Sequence, residues 1–468
     1  MSAKKTLGII ALLLFTAGCV APPSQYQAAL EREGAIRLYL QPVPQEAHRL
    51  EFSITAISAV RSNGVAIPLS PSLAELKGKE LVGVQKRLAS ANLPPGLYVG
   101  ISIQIGGASL LGEDGTADLL VPDAPLLIPH EFTVVRKRAS ALFLSLSPEK
   151  LITTSFDFTP TFSLASPRRQ LQSLLGFATN SQANIVSVFN KHTMEVVDTI
   201  ATSSGPKGAA IDQRRGWVYV ALAGDDAIEA IEVNTGEILS RLQLNFGDEP
   251  VEIALSSDGE ILVSANYGSN SVSIIDALSL RELDRVHLPS EPTHVVAGTS
   301  PRRAYVIQSR SNALSAIDLS RREITGTRIL DETPLRGAIS RDGNSLYLIT
   351  RHSSDILVID AVSLAETGRI YADADAASIL VDSKTGLIYV GRRFRGISVV
   401  DPFSLMRIDR FRTRGNAVFL AFDDDENSLF VVFANSETVQ KIDLVSKRVK
   451  GVIELEEGSY AVVLMGER

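Results

Sequence analysis

The chain has 468 residues, a formal net charge of −7 and a single cysteine. That length accommodates more than one core, and the acidic balance argues against duplex nucleic acid as a partner. One cysteine excludes disulfides within the chain, thiolate-rich zinc sites and CxxCH haem attachment.

Residues 1–18 read as a signal segment: Lys4 and Lys5 precede a short apolar run over 7–15. Thr16-Ala17-Gly18-Cys19 follows and resembles the lipobox of bacterial lipoproteins, with Thr16 where Leu is usual. The resemblance implies thioether lipidation of Cys19, cleavage before it and a membrane attachment through the lipid. An ordinary cleaved signal peptide and an uncleaved anchor are the other readings. Val20 follows rather than Asp, which by analogy with enteric sorting implies the outer membrane, on its periplasmic or its surface face. No other apolar run reaches the ~20 residues of a membrane helix. Residues 19–35 form a lipidated tether stiffened by Pro22-Pro23.

Residues 36–165 are predicted to be a separate β-sandwich. Residues 36–43 and 50–60 alternate apolar and polar side chains, as half-buried strands do. Residues 70–88 are less regular and leave room for a short helix. Leu93-Pro94-Pro95-Gly96-Leu97-Tyr98 then makes a turn into a long alternating strand. Further strands are expected over 117–121, 126–135, 140–147 and 153–162, which with the others suits a sandwich. The Leu-Pro-Pro-Gly-x-Tyr stretch resembles that of transthyretin-like and carboxypeptidase-regulatory-like domains. The expected role is a spacer, with ligand binding by this domain as the alternative. Residues 166–173, SPRRQLQS, read as a linker.

From residue 174 to the end one unit recurs. Its third-from-last element closes at Asn190, Glu232, Asp276, Asp318, Asp360, Asp401 and Asp443, in steps of 42, 44, 42, 42, 41 and 42 residues. Seven copies of a unit just over forty residues long, each with four short strands, predict a seven-bladed β-propeller. Segments opening at Pro206, Pro250, Pro292 and Pro334 are expected to be innermost strands. The chain enters in a second strand and ends in an innermost one, so the C-terminal strand is expected to complete the first blade and close the ring. Trp217-Val218-Tyr219-Val220, Ala304-Tyr305-Val306 and Leu387-Ile388-Tyr389-Val390, with the Val-Ile-Asp cores, resemble the YVTN-type repeat of bacterial and archaeal surface proteins. That resemblance covers about 174–468 and implies a secreted or periplasmic binding protein.

Register across blades lines up Gly208, Glu252, His294, Arg336, Ser378, Val418 and Tyr460 at the entrance of the innermost strands. Glu252, His294 and Arg336 therefore belong near one mouth of the central channel. They are either an acid–base or anion-binding cluster or a polar lining kept wet by solvent. Turns on the same face carry Arg310, Arg351-His352, and Arg392, Arg393 and Arg395, with Arg412 and Arg414 nearby. These predict a basic sector suited to carboxylates or phosphates, against the plainer reading of a solvated surface. Residues 423–427, DDDEN, lack the Gly and the final acid of a calcium loop and read as an acidic turn.

No GxSxG, HExxH, Walker loop or helix-opening GxGxxG is present. The expectation is an all-β, lipid-anchored envelope protein with a β-sandwich followed by a propeller. The propeller acts as a non-catalytic binding module for an envelope protein, an acidic glycan or another acidic ligand. It is expected to be a monomer that needs no metal, cofactor or nucleic acid. The alternative is a lactonase-like or quinoprotein-dehydrogenase-like enzyme working at the channel.

Overall fold

The computed structural model describes residues 32–112, 115–147, 156–299, 302–394, 396–413 and 415–466. Cys19 and Arg395 lie outside them, as do Arg414 and the first residues of the strand expected at 153–162.

The N-terminal part is two packed sheets over one apolar core. One sheet has five strands in the order Phe162–Ala165, Ala139–Leu146, Gly34–Leu40, Lys86–Leu93 and Ser70–Pro71. The other is built on the long strands Leu50–Arg61 and Gly96–Leu111. The Pro94-Pro95 turn carries the chain from one sheet to the other. Gly96 sits there at φ 143°, a backbone conformation that residues with a Cβ rarely adopt. Tyr98 donates its hydroxyl to Pro94 O at 2.9 Å and closes the turn.

Two expectations shift here. The irregular stretch contains the strand Lys86–Leu93, which pairs with Gly34–Leu40, besides a short helix Gly78–Leu81. The last strand is Phe162–Ala165; before it, in the described part of 153–162, there is a bridge from Leu120 to Asp157.

The remainder is seven antiparallel sheets of four strands, arranged as a propeller. The first blade combines Leu175–Asn180, Ile185–Asn190 and Glu195–Ala201 with Ser459–Leu464 from the other end of the chain. The innermost strands of blades 2 to 7 are Pro206–Asp212, Pro250–Leu255, His294–Ala297, Pro334–Ile339, Ala376–Val381 and Ala417–Asp423. Each touches its neighbours, and Ser459–Leu464 touches both Ala417–Asp423 and Pro206–Asp212, so the ring is closed.

The sequence folds this way for local reasons. Second and third strands are covered on both faces by adjoining blades, so they are almost continuously apolar. Ile261–Asn266 is buried at all six positions. Outer strands such as Arg281–His287 have one wet face and alternate. The turns between second and third strands end in Asn184, Asp226, Asn270 and Asn312 at φ between 50° and 55°, a region Asn and Asp tolerate. In the Ser-x-Asp-Gly turns, Ser256 and Ser340 donate to Asp258 and Asp342 at 2.6 Å.

The sandwich does not stand apart from the ring. Tyr39 and Ala141, with Phe143 packed on them, share one apolar cluster with Phe189, Met194, Val196, Phe430 and Val439 of blades 1 and 7. Gln85 pairs its amide with the backbone of Val196, donating to its O at 2.9 Å and accepting its N–H at 2.8 Å. Arg37 and Arg87 both bind Glu456, which is almost fully buried in the loop entering the closing strand.

Candidate functional site

Inner strands open with a register shift after their first residue: Pro250 faces Asn266, but Glu252 faces Ala265. The same shift sets Arg336 opposite Ile349 and Ser378 opposite Gly391. In blade 7 the residue in this register is Phe419, opposite Val432, not Val418. The sequence comparison misses this because blade 6, which precedes it, is one residue shorter than blade 5.

Glu252, His294 and Arg336 come together. Glu252 Oε2 lies 3.4 Å from His294 Nδ1, 3.4 Å from Arg336 and 3.3 Å from the Tyr460 hydroxyl, which donates to it. Gly208 allows blades 2 and 3 to approach here; a Cβ on it would sit 2.7 Å from Glu252 Cα. The Arg336 guanidinium is held between the rings of Phe419 and Tyr460, 5.7 and 5.8 Å from their centroids. His294 Nε2 is 3.3 Å from Gly337 O. That carbonyl can only accept, so Nε2 carries the proton. Nδ1 is buried and, although near Glu252, lacks hydrogen-bond geometry to any partner.

Burial by itself would raise the Glu252 carboxyl. The Arg336 charge, then His294 and Tyr460, outweigh it and hold the group below the usual carboxylate range. Glu252 is therefore an ionised carboxylate that accepts from the Tyr460 hydroxyl and faces the Arg336 guanidinium and the His294 ring. Below this mouth, a cavity of about 300 Å³ lies between the inner strands of blades 4 to 7. His294, Arg336 and Ser378 line it together with Val296, Ala338, Leu380 and Phe419. Ser378 donates to Ala417 O at 2.7 Å.

The predicted basic sector divides. Arg351, His352 and Arg393 are exposed on neighbouring turns, with Arg412 exposed close by. Arg310 is also exposed but pairs with Glu291 at 2.6 Å. Arg392 is not part of the surface: it is 2 % exposed, donates from Nε to Ala374 O at 2.9 Å and pairs with Asp373 at 3.3 Å. It ends the second strand of blade 6, where Asn180, Gln308 and Thr350 stand in blades 1, 4 and 5. All three of those tie the strand end to the incoming loop, as Arg392 does. Comparing strand ends across blades would have exposed this from the sequence.

The acidic segment is a hairpin turn between Ala417–Asp423 and Ser428–Phe433. Lys191 lies against it, with Nζ 2.6 Å from Asp423, 3.0 Å from Asp425 and 2.8 Å from Met465 O. Among the described residues no group of three or more His, Cys, Asp or Glu side chains is placed to hold a metal ion. No helix among them is long and apolar enough to cross a membrane. Sequence reasoning gave no hint of Phe394, which is 69 % exposed beside Arg393, nor of the Phe419 ring against Arg336.

No protein-family model matches the chain. It is 29% identical over 116 residues to the seven-bladed beta-propeller protein Rv1057 of Mycobacterium tuberculosis, covering 24% of this chain and 30% of that protein. It is 25% identical over 217 residues to antigen Lp49 of Leptospira interrogans, covering 44% and 45%. It is 19% identical over 261 residues to YncE of Salmonella typhi, covering 53% and 74%. The chain thus spans less than half the length of the first two of these relatives. A functionally unknown protein of Desulfotomaculum acetoxidans superposes with a TM-score of 0.57 at 13% identity, over 63% of this chain and 100% of that one. A putative 6-phosphogluconolactonase of Bacteroides uniformis gives 0.52 at 16%, over 62% and 99%. These likenesses establish the propeller fold and nothing about activity.

Proposed function

We propose that this chain is a lipid-anchored envelope protein, attached through Cys19, whose propeller is a non-catalytic binding module. Its partner is an acidic envelope protein or acidic glycan, taken on the blade 5 and 6 side of the loop-rich face. The observation that carries this reading is the state of the arginines. Many arginines elsewhere on the ring are paired, as Arg241, Arg285, Arg369 and Arg407 are with neighbouring carboxylates, and exposed ones such as Arg281, Arg341 and Arg448 lie apart from this cluster. Arg351, Arg393 and Arg412 are exposed and leave their guanidinium groups to solvent, with Phe394 among them as an apolar anchor. Unpaired guanidinium forks beside an exposed ring suit carboxylate-bearing macromolecules.

The alternative is an enzyme at the channel. It needs a free base or nucleophile, and the Glu252 carboxylate is taken up by His294, Arg336 and Tyr460. The binding reading is tested by capture from envelope extract with the chain from residue 20 onward. A variant with Arg351, Arg393 and Arg412 changed to Glu should lose the partner, and raised salt should weaken capture by the unaltered chain. Equal capture by both forms overturns the assignment to this sector. In cells, Cys19→Ser should release the protein from the membrane fraction; continued membrane association overturns the lipid anchor.

A further inference from the structure

The turns between third and fourth strands lie on the face opposite the loop-rich one, since each blade is a four-stranded meander. Two residues beyond the side chain that closes the third strand, blades 3, 5, 6 and 7 carry Leu278, Val362, Phe403 and Val445. All four are exposed, Phe403 by 95 %, and Leu405 adds a further exposed side chain to the blade 6 turn. The closing acids bend back onto their own turns: Asp360 accepts from the Val362 N–H at 3.2 Å and Asp401 from the Phe403 N–H at 3.0 Å. Each turn is thereby fixed with its apolar side chain in solvent. A single exposed apolar residue calls for no explanation. Four in one register of a ring differ, because equal register gives equal height and the tips share a plane.

The first sandwich strand starts beside this same tier of turns. The Lys137 N–H donates to Glu33 O at 3.1 Å. Its neighbour Arg138 pairs at 3.4 Å with Glu237, in the blade 2 turn that corresponds to those tips. Residues 19–33 span at most roughly 50 Å when fully extended. We infer that this rim rests on a phospholipid bilayer, with Val362, Phe403, Leu405 and Val445 entering the headgroup region and the arginine sector turned away from it, an orientation that rests on the lipid anchor proposed above. A protein partner needs one contiguous patch. Separated tips of equal height match a flat, yielding surface instead, and apolar side chains gain from shallow burial there. The short reach from Cys19 to the tier keeps that surface close, so tips too few to bind a membrane alone suffice once the chain is attached.

The test uses the chain from residue 20 onward, which has no cysteine. An N-terminal histidine tag tethers it to vesicles of phosphatidylethanolamine, phosphatidylglycerol and a nickel-chelating lipid. The tag supplies the attachment, so the outcome is independent of whether Cys19 is lipidated in cells, and the Cys19→Ser fractionation in turn says nothing of the rim. A polarity-sensitive fluorophore on Ser404→Cys or Ser446→Cys should shift to the blue on the vesicles and be quenched by brominated lipid. The same fluorophore on Phe246→Cys, exposed on the loop-rich face, should emit as it does in water. Phe403→Ser, Leu405→Ser and Val445→Ser together should remove most of the shift at position 404. The melting temperature should hold, because all three side chains are exposed. No shift at 404 and 446 in the tethered protein overturns the inference, as does an equal shift at 246. A shift at 404 that survives the triple change overturns it too.

Discussion

Arg37 and Glu456, 419 positions apart, form a buried ion pair with Nε 3.2 Å from Oε1. The pair joins the first strand of the sandwich to the loop before the closing strand of the ring. Arg87 binds the other carboxylate oxygen, so Glu456 takes two guanidinium groups. The sandwich is thereby fixed to the seam at which the propeller closes.

Removing Arg37 takes one of the two guanidinium groups from the buried Glu456 carboxylate and leaves Arg87 as its remaining partner. Arg37→Met is expected to destabilise the protein by about 1–3 kcal/mol, and Arg37→Met with Glu456→Gln by less than the sum of the two single changes. Urea unfolding of the three variants checks this. Simple additivity would mean that the two residues do not act as a pair.

Asp198 should make the junction sensitive to pH. Burial pushes its carboxyl up to about 6, against the backbone N–H groups of Thr199 and of Ala141 across the junction. The folded value lies above the unfolded value of ~3.9. The folded state therefore binds the proton more tightly, and this stabilisation is full below about pH 4 and lost as pH rises through about 6. Asp198→Asn keeps an acceptor for both N–H groups and removes the charge. It should raise stability at pH 7 by ~1–2 kcal/mol and leave it nearly unchanged at pH 4. Melting curves at the two pH values decide; an equal effect at both would rule out titration as the cause.

Lys191 bolts the first blade to the last, since its ammonium group holds Asp423 and Asp425 of blade 7 and the carbonyl of Met465. Lys191→Met should cost about 3–5 kcal/mol, because Asp423 is almost fully buried and would keep its charge without a counterion. Adding Asp423→Asn should restore part of the loss. A thermal melt unchanged by Lys191→Met would show that the contact carries no weight.

Removing residues 459–468 deletes the strand that pairs with Leu175–Asn180. It opens the ring and bares two inner edges. The truncated chain should melt far below the full chain and with less cooperativity. Cooperative melting at the unaltered temperature would contradict a closed ring.

The sequence determined the larger architecture on its own. Strand periodicity, the repeated Val-Ile-Asp cores and the Ser-x-Asp-Gly turns are local patterns, and seven copies of them specify blade number, strand order and closure by the last strand. It also brought Glu252, His294 and Arg336 to one place, because register along equal repeats translates into position around a ring. Tertiary structure decided what depends on side-chain direction and on partners far away in the chain. Arg392 and Arg393 are adjacent, yet the end of a strand turns the first inward to Asp373 and leaves the second in solvent. A one-residue shortening of blade 6 makes Phe419, not Val418, the neighbour of Arg336. The junction through Arg37, Gln85 and Glu456 has no periodic signature, since each contact joins residues whose spacing follows only from how two finished sheets pack.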